Sequence, residues 1–153
     1  MAAATSDAYN LPNLETFTPS YPPAASTLIY ANLPVCVDAN GNLNAAADTS
    51  GLIFVGYSQQ NVNNSGGTAN GSAGTLFCKV TPKQALKFVE IGYASPVQWG
   101  SGTPVGKLVY FTDNQTVASS GTTNSILCGK CIAVTSTAAS GRVIVDVLDR
   151  TAG

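Results

Sequence analysis

GKLVYFTDNQTVASSGTTNSILCGKCIAVTSTAASGRVIVDVL, residues 106–148, decides the fold. Three apolar runs rich in β-branched and aromatic residues stand out: Leu108 to Phe111, Ile126 to Val134 and Val143 to Leu148. Segments of Thr, Ser, Asn and Gly separate them. Each run is too short for a typical helix and carries strand-forming side chains, so the stretch reads strand, turn, strand, turn, strand. It also holds the chain's only close cysteine pair, Cys128 and Cys131. Those two thiols are the main candidates for chemistry.

Outward from this stretch the pattern continues. Short apolar runs at Thr27 to Tyr30, Pro34 to Val37, Leu52 to Tyr57, Leu76 to Val80 and Ala85 to Ile91 predict further strands. Pro34 fits only a strand start or an edge. Asp38-Ala39-Asn40-Gly41 predicts a turn, because Asx side chains cap a bend and glycine accepts positive φ. Gly56 inside an apolar strand points to a bulge or a close backbone approach. Ser58 to Thr75 reads as one long polar loop. Lys79, Lys83 and Lys87 recur at helical spacing, but Pro82 and the β-branched neighbours argue for lysines on a solvated strand face. LIFVGYS (52–58) and ILCGKCIAV (126–134) look alike, an internal echo that falls short of a repeat. One all-β domain over residues 27–150 follows, preceded by an extended arm at 1–26.

The arm carries Pro12, Pro19, Pro22 and Pro23, which exclude a regular helix across it. Leu11, Leu14, Phe17 and Tyr21 need burial that an extended segment cannot supply by itself. They are therefore candidate contacts to the body of the protein or to a neighbour. Trp99, between Pro- and Gly-rich turns, is the remaining candidate, as a lid on the core or an interface anchor.

Composition narrows the function. Of 153 residues, 44% are hydrophobic and only 10% charged, against roughly 25% charged in ordinary soluble domains. Seven basic residues and a net charge of −1 do not make a counterion-releasing nucleic-acid surface. The absence of histidine removes the commonest general base and metal ligand. No apolar run has the length of a membrane-spanning helix, and the N-terminus lacks the pattern of a secretory leader. A cytoplasmic origin, with reduced cysteines, is the expectation.

The pair CGKC at 128–131 resembles a redox or zinc motif. Its flanks are strand flanks, however, and residues three apart on a strand point to opposite faces, so the sulfurs are expected to diverge unless Gly129 kinks the chain. A zinc site from Cys36, Cys78, Cys128 and Cys131 would lack paired knuckles at the first two positions. Packing in the core is the default role of all four. No phosphate-binding loop, nucleophile elbow or carboxylate pair across a cleft is present in the sequence.

Taken in order, Thr5-Ser6-Asp7 with Pro12, PAASTLIYANLPVCVDANGNLNAAAD, LIFVGYSQQNVNNSGG, PVGKLVYFTDNQTV, ILCGKCIAV and VIVDVL are similar to the recurring phrases of the capsid cement (head decoration) proteins of tailed bacteriophages and prophages. The likeness spans nearly the whole chain and consists of strand and turn signatures. It departs at Ala8, where the family's basic residue would follow Thr-Ser-Asp, and at the cysteines flanking Gly129-Lys130. The resemblance implies a small β-barrel or β-tulip-like domain with an extended N-terminal arm, without catalysis or cofactor. It further implies binding to the major capsid protein of an assembled head shell, as a homo-oligomer, commonly a trimer, on the virion exterior. Two rival readings stand beside it. One is a thiol-redox or zinc protein built on CGKC. The other is a fibre, adhesin or carbohydrate-binding module, for which Tyr9, Tyr21, Tyr30, Tyr57, Tyr93 and Tyr110 supply aromatic surface.

Overall fold

The structure is a computed structural model that describes residues 18–68, 75–95, 102–137 and 141–151. It is nearly all β, as the apolar patterning requires. The strands are β1 (Ser20–Tyr21), β2 (Thr27–Ile29), β3 (Pro34–Val37), β4 (Leu43–Ala45), β5 (Ile53–Ser58), β6 (Val62–Asn64) and β7 (Cys78–Pro82). After the single helical turn α1 (Lys83–Leu86) come β8 (Phe88–Tyr93), β9 (Leu108–Phe111), β10 (Thr116–Ala118), β11 (Leu127–Ser136) and β12 (Arg142–Asp146).

Two sheets dominate. The first has the order β1-β7-β5-β3-β4 and curls until Pro23, just beyond β1, forms a parallel bridge with Leu43 on β4. The second has the order β10-β8-β12-β11-β9 and closes completely, because β10 pairs with β9 as well as β8. A two-stranded antiparallel sheet of β2 and β6 lies beside the first sheet, and Ile29 and Val62 join its core.

The two sheets are the same unit built twice. In sheet order, β1, β7, β5, β3 and β4 correspond to β8, β12, β11, β9 and β10. The correspondence holds bond by bond. Asn32 N–H donates to Ser58 O at 2.8 Å, as Gly106 N–H donates to Cys131 O at 2.8 Å. Ser58 N–H to Leu33 O (3.0 Å) matches Cys131 N–H to Lys107 O (2.9 Å). Asp38 N–H to Asn42 O (3.0 Å) matches Thr112 N–H to Thr116 O (3.1 Å). The closing contacts match too: Ala24 N–H donates to Leu43 O and Ala94 N–H to Val117 O, both at 2.9 Å. Asn32 and Gly106 occupy one position and share positive φ, 62° and 83°. The internal echo is therefore a structural duplication. Side-chain identity has diverged while the pairing pattern has not.

The repeated bulge explains the glycines. In each unit the central strand slips by one residue against its neighbour, between Phe54 and Gly56 on β5 and between Leu127 and Gly129 on β11. Just past each slip a neighbouring carbonyl comes in close. A Cβ on Gly56 would lie 2.0 Å from Thr81 O, and one on Gly129 would lie 2.2 Å from Asp146 O. Only glycine fits either place.

The bulge also corrects the expected divergence of the CGKC thiols. The extra residue at Cys128 shifts the alternation by one, so Cys128 and Cys131 both enter the barrel core, with Val109, Phe111, Val143 and Val145. Other expectations are adjusted as follows. The long polar loop carries β6, paired residue by residue with β2 (Ile29 opposite Val62). The strand expected at Ala85 to Ile91 begins at Phe88, because Lys83–Leu86 forms a helical turn after Pro82. Ser20, Tyr21 and Pro23, in the segment read as an arm, belong to the first sheet.

The units pack through one contact wall. Cys36, Ala46 and Phe54 lie outside the first sheet's interior and join the barrel's core cluster. Phe54 meets Phe111 with ring centroids 5.0 Å apart, a tilted aromatic contact. A polar clasp adds to it: both Asp48 carboxylate oxygens accept backbone N–H groups, from Thr123 (2.6 Å) and Asn124 (2.7 Å). Those bonds, Thr123 first, hold the Asp48 carboxyl below its ordinary pKa. A depressed folded-state pKa contributes stability above the unfolded value of about 3.9 and loses it as pH falls through the folded one. Asp48→Asn is therefore expected to flatten the acid limb of a plot of urea midpoint against pH. An unchanged acid limb would show that the clasp does not couple to folding.

Candidate docking surface

Of the candidate contact residues, Tyr21 lies among the described ones, whereas Leu11, Leu14, Phe17 and Trp99 lie outside them. Tyr21 sits on β1 opposite Cys78 and packs against the interior cluster of the first unit (Ile29, Val35, Leu43, Val62, Cys78 and Val80). Its outer edge lines a cleft of about 410 Å³ with Pro19, Ile53, Val55, Pro82 and the α1 residue Lys83. The cleft lies at one end of the curled sheet, where β1 and β5 begin and β7 ends. Ile53, at its rim, is 59% exposed. Sequence reasoning placed Ile53 within an apolar strand and had no signal that this strand starts at an open end.

A second, larger cleft of about 770 Å³ runs between the units. Asn32 to Pro34 and Tyr57 come from the first unit, and Glu90 to Ala94, Thr112 to Thr116, Gly141 and Arg142 from the barrel. Glu90 accepts from Arg142 Nε at 3.3 Å and from the Thr135 hydroxyl at 2.6 Å. The Thr135 hydrogen bond, then Arg142, keep the Glu90 carboxyl below the ordinary glutamate value. Burial pushes the Tyr57 phenol well up. The Tyr93 hydroxyl is tied to Ser119 at 2.6 Å. This cleft brings together residues that lie far apart in the sequence, so only the topology reveals it.

The chemistry-bearing groups are structurally engaged. All four cysteines are free and buried. Burial raises each thiol pKa, that of Cys36 to about 12, so the thiols stay protonated at neutral pH. Ellman's reagent is expected to find no reactive thiol in the native protein and four after unfolding; prompt native labelling of Cys128 or Cys131 would restore the redox reading. Asp38, Asp113, Asp146 and Asp149 each accept backbone N–H groups in their own turns. Among the described residues no three His, Cys, Asp or Glu side chains gather as a metal site, and no helix is long and apolar enough to cross a membrane.

What the surface offers is apolar contact. Leu28, Tyr30, Ile53, Phe77, Phe88, Ile132 and Leu148 are exposed. Phe88 stands opposite Asp146 on β12, and Leu148 follows two residues later, which brings both to one end of the barrel wall. No family model, no curated protein and no solved structure matches this chain.

Proposed function

We propose that this chain is a non-catalytic virion structural protein that binds the assembled head shell of a tailed phage and cements its lattice. The observation that carries the reading is the disposition of its reactive groups. The thiols are shut in the cores and most of the turn carboxylates cap backbone bends, while large apolar side chains and an apolar cleft face outward. That arrangement suits docking. The strand and turn phrases shared with capsid cement proteins supply the partner, the major capsid protein, and the oligomeric form, a trimer.

The mechanism is linkage. A protein that binds only the expanded lattice stabilises it by RT ln(1 + [L]/Kd) per site, about 2.7 kcal/mol when free protein is at 100 times Kd. Linked contacts from one oligomer raise the effective concentration for the next. Co-sedimentation with expanded, undecorated heads of the cognate phage tests the reading. Saturable binding to expanded heads, and none to unexpanded ones, is expected. Absence of binding to both removes the proposal.

A second reading, a carbohydrate-binding module, draws on the inter-unit cleft, where Tyr57, Tyr93, Asn32, Asn114, Gln115 and the Glu90–Arg142 ion pair present aromatic, neutral polar and charged groups. A glycan screen decides it: binding that is lost in Tyr57→Ala favours the module over the cement protein.

A further inference from the structure

The duplication allows one half of the molecule to be read against the other, and the halves differ at one end. In the barrel, five positions close that end: Val89, Ile91, Ile126, Cys128 and Val147. All are buried, Ile126 at 6% exposure and Val147 at 1%. Their counterparts follow from the pairing. Val89 stands opposite Val145, as Pro19 O accepts from Val80 N–H. Ile91 opposite Val143 matches Tyr21 opposite Cys78. Phe111 N–H donates to Ile126 O where Val37 faces Ile53. Cys128 and Val55 are the bulge residues, and Val147 and Pro82 approach the paired glycines. So the barrel's sealed end corresponds to Pro19, Tyr21, Ile53, Val55 and Pro82, the residues around the open 410 Å³ cleft.

The chain just upstream of the barrel contributes apolar packing. Leu86, three residues before Val89, packs against the core cluster that the barrel shares with Cys36, Ala46 and Phe54, while the α1 turn itself lies against β5 and β7. In the first unit the equivalent place upstream of Pro19 falls to the segment 1–17, which carries Leu11, Leu14 and Phe17. Pro19 itself lines the cleft. Two residues of chain span at most about 7 Å and five about 17 Å, so Phe17 and Leu14 are within reach of the cleft of their own chain. A tether that short gives a local concentration in the millimolar range or above, which a second copy in dilute solution does not match.

We infer that the open end of the first unit is a socket for the chain's own N-terminal segment, with Leu14 and Phe17 seated against Tyr21, Ile53, Val55 and Pro82. The inference is independent of the head-shell reading, because it concerns the free protein.

Ile53→Cys places a reporter at the rim, and the native thiols are buried. Maleimide labelling of this variant is compared with that of the full chain also carrying Leu14→Ser and Phe17→Ser. In dilute protein the reporter is expected to react at least about tenfold more slowly when Leu14 and Phe17 are present. Equal rates overturn the inference. Protection that appears only as protein concentration rises also overturns it, by identifying the occupant as the segment of a second copy. Should Ile53→Cys perturb the fold, the melting midpoint of Leu14→Ser/Phe17→Ser in the otherwise native chain replaces it. A drop independent of protein concentration supports the socket, and no drop overturns it.

Discussion

Alanine at Gly129 is expected to destabilise the protein by about 3 kcal/mol or more, and alanine at Gly56 by a similar amount. The reason is backbone against backbone. The new Cβ would lie 2.2 Å from Asp146 O in one case and 2.0 Å from Thr81 O in the other. A long side chain could swing away, but a carbonyl in a strand ladder moves only if the ladder moves. In the barrel, displacing Asp146 disturbs its pairing with Lys130 and Phe88 together, because β12 lies between β11 and β8. Gly41→Ala is the control. Its φ of +80° carries a cost of about 1 kcal/mol, but nothing lies within 4 Å of the added methyl. Urea unfolding of the three variants should rank Gly41→Ala well above the other two in stability. Equal midpoints would mean that the bulges relax freely, and the close approach would then not matter to the fold.

Phe54→Ala is expected to cost about 3–5 kcal/mol, the range for emptying a buried phenylalanine site. Phe54 is 2% exposed and reaches from β5 across to Phe111, with an edge contact to Tyr57 at 6.4 Å. Its loss leaves a hole between the units as well as inside one. At roughly 2–4 °C per kcal/mol for a chain of this size, the melting midpoint should fall by on the order of 10 °C. Ile132→Ala, on the exposed side of β11, should stay within about 0.5 kcal/mol. If the two substitutions cost the same, Phe54 does not join the units energetically.

Long apolar runs were legible in the sequence. Leu108 to Phe111, Pro34 to Val37 and the core of ILCGKCIAV all form strands where the alternation and β-branching place them. Pro34 begins its strand, Asp38 caps its turn, and Gly56 follows a bulge. The strands that escaped notice, β1, β4, β6 and β10, are all of two or three residues, although the three-residue β2 was expected. Segments such as Val62-Asn63-Asn64 carry no period of their own. They are strands because a neighbour offers unpaired N–H and C=O groups, which is a tertiary fact.

The duplication was legible only as an echo. The positions that repeat exactly are backbone positions, Asn32 with Gly106 and Ser58 with Cys131, whose side chains have nothing in common. The thiol geometry failed for a related reason. Strict alternation separates Cys128 from Cys131, and one inserted bulge residue reunites them in the core. The clefts were invisible because they assemble from segments distant in sequence, one at the open end of the curled sheet and the other between the units. Tyr21 was singled out for its apolar bulk, and it does line one cleft; Ile53, Val55 and Pro82 beside it carry no local mark of that role.

The central claim is that this duplicated β module works by docking on a shell and holding it. Calorimetry of expanded heads, with and without saturating protein, tests it most directly. The account predicts that the shell's melting transition moves upward as sites fill, and that Cys128→Ala/Cys131→Ala protein, once folded, produces the same shift. An unchanged shell transition with protein bound would contradict it.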